Sequence, residues 1–296
     1  MVATAEPLAD ATARAWHLLA AAGSPSARLD AEILVAHAVG RDRSWLAAHP
    51  EVTLDQAAQA QLDEWLVRRA AGEPIAYLRG WKEWHGHRLH TDARALIPRP
   101  ETEIVADLAV VDLAHRLSDG TDALTAWDVG TGSGAVALVL ARRFHVALAL
   151  GRLRLVASDL SSDALELAAE NFSADGFDGL VTLVVADLLE PAGRWLPRPD
   201  VVVANLPYVP SAQLDGAGSL GFEPSRALDG GPDGLDLIRC LVSTLPETMA
   251  AGASAWLEVG LGQAAEVAAL AESLGMTVGV HRDLAGIDRA VELRAE

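Results

Sequence analysis

The run AWDVGTGSGAVALVLARR, Ala126–Arg143, decides the fold. It opens on an apolar, β-rich stretch, turns on Gly130, Gly132 and Gly134, and closes on an apolar stretch of helical composition. A strand that feeds a glycine turn and then a helix begins a βαβ unit. Outward from it, apolar β-rich runs recur at Leu153–Ser158, Val181–Val185, Asp200–Ala204 and Ala253–Val259, with helical stretches between them from Glu101 onward. That alternation predicts an α/β domain with a parallel sheet covered by helices on both faces. Two further strands are expected at Thr277–Val280 and Arg289–Leu293, around the turn at Ala285 and Gly286.

Towards the N-terminus the period changes. Helical amphipathic stretches run over Ala11–Ala22, Ala27–Val39, Ser44–Ala48 and Leu54–Ala71, broken at Gly23, Pro25, Gly40 and Pro50. They predict a small all-α bundle over residues 1–74, with Trp16, Leu19, Ile33, Leu34, Trp45, Leu62, Trp65 and Leu66 as its core. Polar and apolar residues then alternate around Gly80 and Gly86, which predicts a linker hairpin over 75–100 ahead of the α/β domain at 101–296.

Composition narrows the partners. The 296 residues carry a formal net charge of −18, and Lys82 is the only lysine. A protein that grips a polynucleotide neutralises phosphates with clustered Lys and Arg, so stable binding of free nucleic acid is not expected. The acidic balance instead suits a small ligand or a basic protein face. No long apolar run and no basic, signal-like start are present, and the single cysteine, Cys240, gives no internal disulfide; these point to a cytoplasmic protein without a membrane partner. Cys240 is expected in the core.

Chemistry enters at the strand ends. The turn Gly130-Thr131-Gly132-Ser133-Gly134 lacks the third glycine of the dinucleotide fingerprint and the Lys-Ser/Thr ending of a P-loop. It still offers close backbone approach and helix-start N–H donors to an acidic group. The next strand ends at Asp159, where α/β folds place the acceptor for two ribose hydroxyls. The third ends at Ala186-Asp187-Leu188, from which a carboxylate can accept from an adenine amine. Singly, each of these features is more often structural. Together, at successive strand ends, they fit an adenosyl ligand with a carboxylate tail, and S-adenosyl-L-methionine is that ligand.

The fourth strand ends in Asn205-Leu206-Pro207-Tyr208 at the same edge. An amide nitrogen is a weak nucleophile because its lone pair is delocalised. The Asn205 side-chain oxygen and the Leu206 carbonyl can each accept one of its N–H groups, orienting the nitrogen for in-line methyl transfer. Tyr208 supplies a flat face for the planar group and Pro207 stiffens the loop. The plainer reading is an Asn-Pro type turn that closes a strand.

On these residues the chain resembles the HemK/PrmC family of protein-glutamine N5-methyltransferases, over nearly its whole length. The most specific segments are Glu73–Gly80 (EPIAYLRG), Leu96–Glu103 (LIPRPETE), Asp128–Gly134 (DVGTGSG), the tetrad at Asn205, Phe222-Glu223-Pro224 with Ala227-Leu228, Gly231–Leu235 (GPDGL) and Asp283–Arg289 (DLAGIDR). The resemblance implies a helical bundle that helps recognise substrate, a hairpin linker, and a Rossmann-like class I methyltransferase domain. It also implies that Gly130 to Gly134 and Asp159 hold the cofactor, and that Asn205 to Tyr208 hold the glutamine of the Gly-Gly-Gln motif in class 1 peptide chain release factors. The family's usual tetrad is Asn-Pro-Pro-Tyr, and Leu206 departs from it while keeping the backbone carbonyl.

With Leu206 the tetrad reads as in ribosomal RNA adenine dimethyltransferases, so an RNA adenine N6-methyltransferase is the alternative; the N-terminal position of the bundle and the acidic charge oppose it. An inactive scaffold is opposed by the intact cofactor and acceptor residues. His85, His87 and His90 invite a metal assignment, but strand alternation puts His85 and His87 on one face and His90 on the other, so no metal site is expected. Glu101 and Glu103 suit a helix start, with a share in the acceptor pocket as the bolder reading, and Glu258 is either a sheet-edge polar residue or a cleft contact.

Overall fold

The computed structural model describes residues 6–120, 123–214 and 221–295. The chain divides into two compact units, residues 1–81 with 218–222, and residues 82–217 with 223–296.

The first unit is helical: α1 (Leu8–Ala21), α2 (Ala27–Ala38), α3 (Arg43–Ala48), α4 (Gln56–Ala70) and α5 (Ile75–Arg79). Asp42 and Asp55 start α3 and α4 by accepting from the N–H groups of Trp45 and Ala58, as N-cap carboxylates do. Leu19, Leu34, Leu62 and Leu66 are all but fully buried in its core. Within it, Asp30 is buried and is satisfied by Arg69 at 2.9 Å and by the Ser24 and Ser26 hydroxyls. The expected core needs two corrections, one of them at Ile33, which is only partly buried and is not among the residues packed on that core. Trp16 is 43% exposed, whereas Trp45 and Trp65 are half-buried and pack on the core. The segment Ile75–Arg79, expected within a hairpin, is a helical turn that ends where Gly80 takes a left-handed conformation, φ 72°.

The second unit opens at Lys82, within the hairpin β1 (Trp81–Trp84) and β2 (His87–His90), whose turn holds His85 at φ 49°. His85 therefore belongs to the turn and not to a strand face shared with His87. Among the described residues no group of three His, Cys, Asp or Glu side chains is placed to hold a metal ion.

A 3-10 turn (Pro100–Thr102) leads into α6 (Glu103–Ser118), and the sheet begins with β3 (Leu124–Val129). There follow α7 (Ala135–Arg143), α8 (His145–Ala149), β4 (Leu153–Asp159), α9 (Ser162–Ala174), β5 (Val181–Val185) and β6 (Val201–Ala204). The chain closes with α10 (Asp236–Thr248), β7 (Ser254–Glu258), α11 (Ala264–Ser273), β8 (Thr277–Arg282) and β9 (Asp288–Arg294). The sheet order is β5-β4-β3-β6-β7-β9-β8, and only β9 runs against its neighbours.

All side chains of β3, β6 and β7 are buried, which explains their continuous apolar runs: a parallel strand covered on both faces has no polar side to show. One core lies on the face of α6, α7 and α9, the other on that of α10 and α11. Cys240 lies on neither; it is exposed on the outer side of α10, contrary to its expected place. The strand order reverses between β4 and β6 on either side of β3, and α/β sheets bind ligands outside the carboxyl ends of strands at such a switch point. No helix of the described residues is long and apolar enough to cross a membrane.

Candidate active site

A cavity opens at that switch point. It is lined by Gly130, Thr131, Gly132 and Ser133 from the turn after β3, by Asp159 after β4, by Asp187 and Leu188 after β5, and by Asn205, Leu206 and Pro207 after β6. Gly134 and Tyr208 do not line it.

The turn is built to bring backbone close to a ligand. Gly130, Gly132 and Gly134 all have positive φ, at 69°, 56° and 80°. They do different work. A Cβ at Gly134 would come to 3.0 Å from the Phe172 ring and 3.1 Å from Ala168, so this glycine lets α7 pack on α9. A Cβ at Gly130 would meet the Leu206 side chain at 3.0 Å, and one at Gly132 would find only Ala95 at 3.9 Å. Gly132 is thus free on the ligand side. Asn171, buried on α9, donates to the Ser133 carbonyl at 2.9 Å and accepts from the His90 N–H at 2.7 Å, tying the turn to the hairpin.

Asp159 accepts from the Gly132 N–H on one carboxylate oxygen and from the Ser161 N–H on the other, both at 2.9 Å. Each oxygen keeps a lone pair, so the group can still accept from two vicinal hydroxyls. Leu188 is held at φ 48°, a costly conformation for leucine.

Asp128, at the end of β3, is fully buried and accepts from the Thr131 hydroxyl at 2.6 Å and the Ala137 N–H at 3.0 Å. Burial pushes its carboxyl up to about 6, against those two hydrogen bonds, and the neighbouring Asp159 charge adds to the rise. A raised carboxyl means that the folded chain binds the proton more tightly than the unfolded one. Stability should therefore fall as pH rises from about 4 to about 6 and level off above, by about 3 kcal/mol from this group. Asp128→Asn keeps the size and an acceptor oxygen. Its melting-temperature difference from wild type should change across that window and be constant above it; parallel pH curves for the two proteins would remove the assignment.

On the acceptor side the Asn205 amide donates from Nδ2 to the Thr102 hydroxyl at 2.9 Å, which leaves Oδ1 free to accept. Thr102 is buried in the 3-10 turn and lines the cavity, whereas Glu101 is exposed and Glu103 accepts from the His85 N–H at 2.9 Å. Of the IPRPETE run, Pro98, Arg99 and the threonine between the two glutamates line the cavity, and the glutamates do not. The run is fixed by Glu223, which is buried and accepts from the Ile97 N–H at 3.0 Å and from Arg99 at 2.6 Å. Leu206 is 5% exposed, its side chain turned onto Gly130 and into the core. Leucine in place of proline therefore adds packing between the acceptor loop and the glycine turn.

Tyr208 is half-buried, and its hydroxyl donates to Glu258 Oε1 at 3.0 Å. Glu258, at the end of β7, is fully buried. Desolvation drives its carboxyl above the ordinary range, opposed by the Thr102 and Tyr208 hydroxyls and by Arg289. The same burial, with the Glu258 charge, raises the Tyr208 phenol. Sequence reasoning gave no individual role to Thr102, Asn171 or Glu223, although Thr102 and Glu223 lie in segments it singled out, and it left Glu258, a charged residue ending an apolar strand, between a sheet-edge residue and a cleft contact.

Comparison with known proteins identifies the family. Residues 10–80 match the PrmC N-terminal domain family. The chain is 39% identical over 285 residues to a release factor glutamine methyltransferase of Moorella thermoacetica, covering 95% of this chain and 96% of that protein. It is 38% identical over 276 residues to the enzyme of that name from Bordetella pertussis, covering 92% and 96%. The crystal structure of the hMettl16 catalytic domain, solved in complex with a 3′UTR hairpin, superposes with a TM-score of 0.51 over 69% of this chain and 74% of that one; at 12% identity this likeness shows the methyltransferase fold alone. Identity at this level over almost the full length of both chains settles the family: the chain belongs to the release factor glutamine methyltransferases.

Proposed function

We propose that the protein transfers a methyl group from S-adenosyl-L-methionine to the side-chain amide nitrogen, N5, of the glutamine in the Gly-Gly-Gln motif of class 1 peptide chain release factors. The observation that carries this reading is the orientation of Asn205. Because one Nδ2 hydrogen goes to Thr102, which fixes the orientation of the amide, Oδ1 is the atom placed to receive an N–H from an incoming planar amide.

The residues present fit the cofactor. An open Gly132 between two packed glycines gives backbone approach, Asp159 offers paired acceptors to a ribose, and Asp187 stands at the next strand end, where an adenine amine can donate to it. When bound, S-adenosyl-L-methionine supplies an electrophilic methyl group on a sulfonium. The protein's share is to hold the acceptor. Asn205 Oδ1 and the Leu206 carbonyl each accept one amide N–H, which raises electron density on nitrogen and aims it along the line of transfer. Tyr208, which lies outside the cavity lining, takes the role of packing its ring on the amide plane as the substrate enters. No strong base is needed beforehand, since the nitrogen becomes acidic only as the new bond forms.

A release factor is the protein partner of this reading, approached by an acidic enzyme, and the cytoplasm is the compartment it implies. The bundle over 1–74, with the 75–100 linker, takes the substrate-recognition role and the domain over 101–296 the chemistry. The decisive experiment is the mass of the Gly-Gly-Gln peptide after a release factor is incubated with the protein and cofactor, beside a Gln-to-Ala control. One added methyl on that glutamine alone is the expected result. An unmodified peptide in the presence of bound cofactor would overturn the acceptor and turn the search to RNA adenine.

A further inference from the structure

The sheet register sets Ala204 beside Leu257, so that Asn205 and Glu258 follow abreast at the ends of neighbouring strands. Glu258 is fully buried, lines no part of the cavity, and has one oxygen, Oε2, without a hydrogen-bond partner. An acidic side chain in such a place costs stability, and a core position would ordinarily carry an apolar residue. What it does make is the bond to the Tyr208 hydroxyl, with Thr102, the residue that orients Asn205, as its other polar neighbour.

The DLAGIDR loop braces the same place. Asp283 closes the loop on the N–H groups of Ala285 and Ile287 and faces Arg289, and Arg289 donates to the Val259 carbonyl at 3.1 Å, one residue past Glu258. The function read so far leaves this motif unused.

We infer that Glu258 is a positioning residue for methyl transfer, which holds the Tyr208 ring and, beside Thr102, keeps the acceptor tetrad in its working shape, with the Asp283–Arg289 loop as its support. The inference rests on the proposed glutamine methylation. It assigns Glu258 no contact with substrate or cofactor. The charged groups that face it are Arg289 from β9 and Glu101 from the 3-10 turn, with the Tyr208 phenol against it. An ionised Glu258 makes the stronger bond to the phenol, so activity gains as pH rises through its titration.

The test uses the full-length protein and the release factor peptide. Glu258→Ala should lower kcat between about ten- and a hundredfold, the loss expected of a misplaced acceptor, while the cofactor Kd stays within about twofold. Glu258→Gln, which retains an acceptor for the phenol, should recover most of kcat but lose the acid limb of its pH profile. Combining Glu258→Ala with Tyr208→Phe should cost no more than the worse single change. A kcat for Glu258→Ala within about twofold of wild type, or effects of the pair that multiply, overturns the proposal. If Glu258→Ala does not fold, an unchanged pH profile in Glu258→Gln overturns it instead. Wild type that leaves the peptide unmethylated refutes the substrate reading, and the positioning is then read on tyrosine. The chain has two tyrosines, so a Tyr77→Phe background isolates Tyr208 by absorbance. Its phenol should ionise at lower pH once Glu258 is replaced by Gln, and an unmoved titration overturns the proposal in that case as well.

Discussion

Asn205→Ala should cut single-turnover methyl transfer by about 10²- to 10³-fold, the loss typical of removing one preorganised hydrogen-bonding group at a reacting centre. The cofactor Kd should stay within a few-fold, because Asp159 and the glycine turn are separate from the change. Two effects need separating. The truncation removes Oδ1, the acceptor for the substrate amide, and also removes the donor that the Thr102 hydroxyl receives inside the fold. The second effect costs about 1–3 kcal/mol of stability for a buried hydroxyl left unmatched, which a melting curve reads directly. Asn205→Asp separates them: it keeps an oxygen on the substrate side, loses the Nδ2 donor to Thr102, and adds a charge. Near-normal turnover in the alanine variant would show that another group holds the amide, and the reading of the tetrad would fail.

The parts of this molecule legible in the sequence are those whose causes are local. Strands β3, β6 and β7 stand out because a strand buried on both faces is apolar throughout, and the glycines of the turn stand out because positive φ suits little else. Two of the errors come from helical phase. On α1 the buried positions are Leu8, Ala11, Ala15 and Leu19, a 3-4-4 spacing that leaves Trp16 about 100° past the inward side, so its size counts for nothing. On α10 the inward positions Ile238, Leu241, Val242 and Leu245 likewise leave Cys240 pointing out.

The residues that finish the site were hidden for another reason. Thr102 meets Asn205 across 103 positions of sequence, and Glu223 meets Ile97 across 126. No local pattern reports a contact of that range. The IPRPETE segment marked itself as special, but only packing shows that its threonine, and not its glutamates, reaches the cavity.

Asp159→Ala should weaken cofactor binding by about 10²-fold or more, measured by titration calorimetry. Two charge-assisted hydrogen bonds from a diol, each worth about 1.5–3 kcal/mol, set that scale. The carboxylate also receives the Gly132 and Ser161 N–H groups, so its loss relaxes the very turn that approaches the ligand, and the effect should exceed that of the ribose contact alone. Asp159→Asn keeps one acceptor oxygen and should fall between wild type and alanine. A different explanation is that the Asp159 charge attracts the cationic cofactor without touching it. S-adenosylhomocysteine decides between the two, since it has the same ribose and no sulfonium charge. If Asp159 holds the diol, both ligands lose affinity by the same factor; if only the charged one weakens, the interaction is long-range and the ribose assignment is wrong. Salt gives the same division, because a charge acting at a distance is screened by added electrolyte while a buried hydrogen bond to the ribose is not.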